Sequence, residues 1–181
     1  MSESRKIVLE QVQPRGLSSF ARRLQEAFAV ALVEQFGSSD ALPSEADIVA
    51  SATAAGAQAF DIVARGQRVG GAVVVIRQKT QKNTLELFFI SPRQHGRGLG
   101  FAAWQAIEAA FPDTVVWETV TPYFEQRNLH FYINKCGFHA VEFFHRHHRD
   151  PAMPHAEGAA CDPSQATEVY FRFEKVMKEK A

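Results

Sequence analysis

Residues 90–104 read Ile-Ser-Pro-Arg-Gln-His-Gly-Arg-Gly-Leu-Gly-Phe-Ala-Ala-Trp: an apolar strand end, a turn with glycines at 96, 98 and 100, then a helix. Glycines at alternate positions let the main chain turn tightly while its N–H groups stay uncovered, and a helix N-terminus that follows adds partial positive charge. A pyrophosphate fits such a turn, and Arg97 and Arg93 could add charge-assisted bonds to it. A tight turn without a ligand is the alternative reading. Two other phosphate signatures fail here. A P-loop needs Lys-Ser or Lys-Thr where this chain has Leu99-Gly100, and a dinucleotide fingerprint opens a βαβ unit rather than following a run of strands.

The rest of the chain falls into place around that turn. Residues 5–12 read as a strand. Leu17, Phe20, Leu24, Phe28, Leu32 and Phe36 keep helical spacing until Gly37, and a second helix starts at Pro43-Ser44-Glu45 and ends near Gly56. The period then changes to two. Phe60, Ile62 and Ala64 alternate, Arg65-Gly66-Gln67 is a turn, residues 69–76 are rich in β-branched side chains, and residues 85–90 follow a second polar turn at 79–83. After the glycine turn the pattern predicts a helix over 101–111, a strand over 114–119, a helix over 124–135 stopped by Gly137, and strands at 139–144 and 167–176. Residues 146–165 read as a long loop.

With 181 residues, 46% of them hydrophobic, the chain can build one sizeable core, so a single domain over 1–181 is expected. Its 20 basic and 20 acidic side chains balance, giving no general pull toward nucleic acid or an anionic membrane. The N-terminus lacks a signal-peptide pattern, no apolar run approaches the roughly 20 residues of a membrane span, and two cysteines make no disulfide framework. A cytoplasmic protein is expected.

The pattern Gln/Arg-x-x-Gly-x-Gly/Ala is met by His95-Gly96-Arg97-Gly98-Leu99-Gly100, preceded by Ile90-Ser91-Pro92, with His95 in place of the usual Gln or Arg. Downstream, Asn128-Leu129-His130-Phe131-Tyr132-Ile133-Asn134-Lys135-Cys136-Gly137-Phe138 supplies an aromatic-Tyr pair followed by x-x-x-Gly-Phe. On these two motifs, in this order, the chain resembles the GNAT superfamily of Gcn5-related N-acetyltransferases from about residue 5 to residue 176. A register two residues earlier, Arg93 to Gly98, matches the pattern literally but starts the helix too soon. The implied fold is α/β (α+β), a central mixed, mostly antiparallel sheet of about seven strands flanked by about four helices.

The resemblance implies an acyl-CoA-dependent N-acetyltransferase in which a primary amine attacks the thioester of acetyl-CoA directly. The donor would lie in the splay between residues 85–90 and 114–119. Main-chain groups near Phe89 and Ile90 would pair with pantetheine, N–H groups of His95, Gly96, Arg97, Gly98, Leu99 and Gly100 would hold the pyrophosphate, and Asn128 would contact pantetheine in place of the family Asn, where this chain has Glu125. Tyr132 matches the family's general acid, or else packs beside Phe131. Glu86 and Glu118 are the candidate bases; either could equally be a solvent-facing strand carboxylate. Thr121, Tyr123 and Glu125 would border the acceptor, with Glu125 an anchor for a cationic amine or a helix-start carboxylate. A non-catalytic acyl-CoA-binding module is the second reading.

No metal is expected: His145, His147, His148, His155 and Cys161 match no usual zinc spacing and read as a solvated loop. Cys136 reads as a small buried hydrophobe. The resemblance also implies a possible homodimer through the last strands, although the alternating Val169, Phe171 and Phe173 serve a monomer's core equally well.

Overall fold

The strands of the computed structural model, which describes residues 6–39, 42–152 and 169–177, are β1 (Ile7–Gln11), β2 (Ala57–Ala64), β3 (Gln67–Val75), β4 (Lys82–Ile90), β5 (Val116–Pro122), β6 (His139–Phe144) and β7 (Tyr170–Val176). They form one seven-stranded sheet in the order β1-β2-β3-β4-β5-β7-β6. Every pair is antiparallel except β4–β5. The flanking helices among the described residues are α1 (Leu17–Phe36), α2 (Glu45–Thr53), α3 (Leu99–Ala110) and α4 (Gln126–His130). This is the expected mixed sheet flanked by helices.

The sheet divides two cores. Phe20, Ala21 and Leu24 of α1 and Ile48 and Ala52 of α2 pack with Val73 and Phe89 on one face. On the other, Ala103, Trp104 and Ile107 of α3 meet Val74, Leu85, Trp117 and Phe173. Burial of each large side chain contributes about 2 kcal/mol. α2 begins where Ser44 predicts it, because the Ser44 hydroxyl accepts the Asp47 N–H at 3.1 Å and the Asp47 carboxylate accepts the Ser44 N–H at 3.2 Å. The buried Asp61 of β2 is ion-paired with Arg23 of α1 at 2.6 Å and Arg68 of β3 at 2.8 Å, which ties the helix to the sheet.

Three departures from the sequence-based expectations shape the surroundings of the glycine turn. A bulge sets both Leu85 and Leu87 against neighbouring β3 residues, Val74 and Val73, and leaves Glu86 as the extra residue. The alternation of β4 therefore changes phase, and Leu85, Phe88 and Ile90 join the α3-side core while Leu87 and Phe89 join the α1-side core. Secondly, α3 starts at Leu99 rather than 101. Thirdly, the helix expected over 124–135 is short: α4 gives way to a π-helical turn over Phe131–Lys135, closed by Cys136 N–H donating to Phe131 O at 3.0 Å. Residue 5, residues 167 and 168 of the expected last strand, His155, Cys161 and most of the 146–165 loop lie outside the described residues.

Candidate active site

The glycine turn leads straight into a helix N-terminus. Pro92–Gln94 form a 3-10 turn after β4, Gly96 and Gly98 follow with φ of +77° and +72°, and α3 begins directly afterwards. Side chains other than glycine rarely adopt these conformations. Ala102 N–H bonds back to Gly98 O at 3.2 Å, and no side chain caps the N–H groups of the preceding helical residues. The helix starts directly after Gly98, two residues before the start at 101 expected with the register His95 to Gly100. The His95 side chain is turned inward, its Nε2 2.7 Å from Ile90 O, so it clasps the turn to the end of β4. Arg97 is exposed, with Nη1 donating to Gln94 Oε1 at 3.1 Å. A Cβ on Gly100 would approach the Phe131 ring at 3.4 Å.

Beside this turn the sheet opens. β4 and β5 are paired only at Lys82–Val116, Asn83–Trp117 and Thr84–Glu118, after which they diverge. Register decides which groups face the gap. Ser91 N–H donates to Val69 O at 2.8 Å, and in an antiparallel pair alternate residues turn both main-chain groups toward the same neighbour. Ser91 and Phe89 thus face β3, whereas Phe88 and Ile90 face the open flank. This corrects the expectation for Phe89: its main chain belongs to the β3 ladder, and its ring, 4% exposed, sits 5.6 Å from Phe20 in the α1-side core. Phe88 takes its place at the gap, its ring stacked on Phe131 at 5.8 Å and 10°.

At the point of divergence Thr119 supplies a side-chain link, its Oγ1 donating to Leu85 O at 2.9 Å. Tyr132, on the π-helical turn, is buried, and burial pushes its phenol well above the usual tyrosine range, with the neighbouring Cys136 thiol adding to the rise and Thr119 opposing it. Its ring is packed between Phe131, Phe138 and Phe173. Thr119 and Thr121 are both buried, on the same face of β5 as Trp117. Sequence reading missed Thr119, whose partner Leu85 lies far from it along the chain.

The mouth of the gap is lined by the β5–α4 connection. The Phe124 ring meets Phe36 of α1 at 4.8 Å and Tyr123 at 6.2 Å. Tyr123 is exposed and Asn128 half-buried. Glu125 is half-buried, and burial raises its carboxyl above the usual range; Arg127 opposes this rise and Glu34 of α1 adds to it. Its side chain caps no helix N–H, and its charge is felt at Tyr132.

The two candidate bases part company. Glu118 is tied to Arg172 at 3.2 Å, within a cluster in which Arg172 also binds Glu142 at 3.1 Å and Glu174 at 2.6 Å. Strand alternation puts Glu118 on the face opposite Thr119. Glu86 is exposed at the bulge, with no ion-pair partner among the described residues.

The histidine segment is a tight turn, His145 and His148 exchanging main-chain bonds at 3.0 and 2.9 Å. His148 stacks on Phe144 and contacts Glu142 at 2.9 Å, His145 stacks on Phe143, and the His147 Nε2 accepts from Arg146. Phe173 is fully buried and Phe171 packs on the same core, so the monomer itself accounts for that apolar face. Cys136 is buried, and burial pushes its thiol up to about 12. No helix among the described residues is long and apolar enough to cross a membrane.

Residues 22–138 match the family described as "Acetyltransferase (GNAT) family". A protein of Bacillus subtilis (strain 168), "Uncharacterized protein YrkN", is 49% identical over 178 residues, which is 97% of this chain and 96% of that protein. Among solved structures, an acetyltransferase from Thermus thermophilus superposes with a TM-score of 0.66 at 16% identity, covering 96% of this chain and 99% of that one. The PaiA N-acetyltransferase of Thermoplasma acidophilum, crystallised with coenzyme A, superposes with a TM-score of 0.64 at 13% identity, covering 94% and 99%. At these identities the likeness of the two structures is one of fold.

Proposed function

The chain belongs to the GNAT acetyltransferase family, and from that premise we propose that it transfers the acetyl group of acetyl-CoA directly to a primary amine. The observation that carries the reading is the gap itself. β4 leaves β5 after Thr84, the glycine turn stands at the end of β4, and Tyr132 stands where the strands part. Pyrophosphate would rest on the N–H groups from Gly96 to Gly100, with Arg97 free to swing from Gln94 onto a phosphate. Pantetheine would pair with the main chain of Phe88 and Ile90 as a stand-in for a strand, with Asn128 beside it. His95 would hold the turn from within rather than touch the donor.

The amine nitrogen attacks the thioester carbonyl carbon, the C–N bond forms, and the C–S bond breaks. Tyr132 supplies the proton that the departing sulfur takes up. A phenol is neutral at working pH and so holds that proton, while burial disfavours the phenolate that the transfer would leave. Glu86 is better placed than Glu118 to receive the nitrogen's proton, since Glu118 is engaged by Arg172. The acceptor would lie at the mouth, where Phe36, Tyr123 and Phe124 border Glu125 and Thr121 lines β5. That combination of aromatic surface and carboxylate suits an amine on an apolar body.

Calorimetric titration with acetyl-CoA, wild type against Gly98→Glu, tests the donor site. Micromolar binding that the variant loses by about 100-fold or more is expected. Release of thiol from acetyl-CoA is then followed with phenethylamine, spermidine and a lysine-containing peptide, phenethylamine being the fastest expected. Binding with no thiol release from any of the three would replace the enzyme reading by the non-catalytic one. No binding by the folded protein would remove both.

A further inference from the structure

Ile90 is the last residue of β4, and its main-chain groups face the open flank. One hydrogen bond is made there by the chain itself: the ring of His95, five residues further on, brings Nε2 to 2.7 Å from Ile90 O. A carbonyl oxygen only accepts, so Nε2 carries the proton and donates it. Two main-chain bonds close the same short loop, Gln94 N–H to Ser91 O at 2.8 Å and His95 N–H to Pro92 O at 3.3 Å. Arg93, Gly96, Arg97 and Gly98 are exposed, and a Cβ on Gly96 would meet nothing within 4 Å. The half-buried His95 ring thus ties an exposed turn inward, to the rung where β4 ends. Gln and Arg, the usual residues at this place in the pattern, share with His a side-chain N–H, and the Nε2 atoms of Gln and His lie the same number of bonds from Cα.

Resting on the reading of the gap as the donor site, we infer that His95 is a positioning residue for the donor. Its Nε2–H sets the spacing between the last rung offered to pantetheine and the N–H groups offered to pyrophosphate, so that one ligand satisfies both. Ile90 O has two lone pairs, and with one held by His95 the second is left for a pantetheine amide N–H. The His95 bond also polarises that carbonyl and makes it the better acceptor. The gap and the turn are two half-sites for a two-part ligand, and joining them multiplies affinity only where their separation matches the ligand. A leucine at 95 removes the donor and frees the exposed turn from the rung, whereas a glutamine keeps an N–H at the same reach.

Two measurements test this on the full chain. In the first, the ring nitrogens of the seven histidines are observed by 15N NMR at about pH 8.5, where a histidine ring is ordinarily neutral, and His95→Gln identifies the His95 signals by removing them. The His95 ring should hold its proton on Nε2 as a single tautomer, slow to exchange with water. A ring protonated at Nδ1, or averaged between the two, overturns the inference whatever the binding shows. In the second, acetyl-CoA is titrated calorimetrically into wild type, His95→Leu and His95→Gln, and ADP, which carries a pyrophosphate without pantetheine, is titrated by displacement of acetyl-CoA. His95→Leu should weaken acetyl-CoA by about 10-fold or more and ADP by no more than about twofold, and His95→Gln should bind both within about threefold of wild type. Equal losses for the two ligands would make His95 a mere support of the turn's shape. Unchanged acetyl-CoA affinity in His95→Leu, or no displacement by ADP in the wild type, would show that no spacing between half-sites depends on the ring. Each of these overturns the inference while acetyl-CoA binding by the wild type keeps the donor site. A folded wild type that binds neither ligand removes the donor site, and the inference with it.

Discussion

β4 is a different strand on each of its flanks. Toward β3 it is paired from Val75–Thr84 to Gly70–Ile90, and its main-chain groups are satisfied by a neighbour. Toward β5 the pairing stops at Thr84, and the groups of Phe88 and Ile90 look into a gap, where His95 meets Ile90 O. The paired flank is held by close packing and the open flank by a few side-chain links, of which Thr119 to Leu85 is the first. The contrast teaches how one strand can serve stability and recognition at once. A sheet edge hidden inside the molecule offers main-chain donors and acceptors to an extended substrate, while the opposite edge holds the strand in the sheet.

The largest effect should come from the paired flank. A Cβ on Gly71 would stand 2.4 Å from Phe20 and 2.6 Å from Phe89, so the ring pair that joins α1 to β4 exists only because residue 71 has no side chain. Gly71→Val should cost about 3 kcal/mol or more by denaturant unfolding, or prevent folding outright. Gly98→Glu, on the open flank, strains a left-handed position by about 1–2 kcal/mol. It should therefore unfold at higher denaturant than Gly71→Val while losing acetyl-CoA binding. If the two variants lose equal stability, the flanks do not divide labour between packing and recognition.

Much of the open flank is legible in the sequence, and much of the paired flank is not. The glycines at 96, 98 and 100 and the Phe131-Tyr132 pair are local signals, and they fall at one site because the chain order β4, α3, β5, α4 brings them there. The bulge at Glu86 is not legible in Leu-Glu-Leu-Phe-Phe-Ile, because after Glu86 both phases of alternation are apolar, and the resemblance, which implied main-chain groups near Phe89 and Ile90, does not say which flank each of them faces. Gly70-Gly71 inside a β-branched run is the one available sign of a close approach on the paired flank. Thr119 and Arg172 are invisible for another reason: their partners come from distant strands, so only the register of the sheet reveals them.

A smaller effect belongs to the far side of β5. Arg172 is the cation around which Glu118, Glu142 and Glu174 gather, joining β5, β6 and β7 on one face. Arg172→Met should leave three carboxylates facing one another and lower Tm by about 3–6 °C, part of which added salt should recover. Acetyl-CoA affinity should stay within about twofold, because the cluster braces β5 from the side away from the gap. A tenfold loss of affinity would mean that the width of the gap depends on this brace, and the contrast between the flanks of β4 would extend to those of β5.

The smallest effect lies at the mouth, where the open flank should cost the fold something. Burial raises the Glu125 carboxyl above its unfolded value, so the folded protein binds this proton more tightly than the unfolded chain does. The stability linked to that proton is fully present below the unfolded pKa and is lost as pH rises through the folded one. Near neutral pH the wild type holds a carboxylate against aromatic surface and beside Glu34, and solvent at this half-exposed site softens the penalty. Glu125→Gln, uncharged at every pH, should raise Tm by about 2 °C at neutral pH and by nothing measurable near pH 4. The same variant should weaken the use of phenethylamine through KM while sparing acetyl-CoA binding. A carboxylate that lowers stability and yet is dispensable for the amine would have no reason to be half-buried there, so the two readouts must move together for the mouth to be the acceptor site.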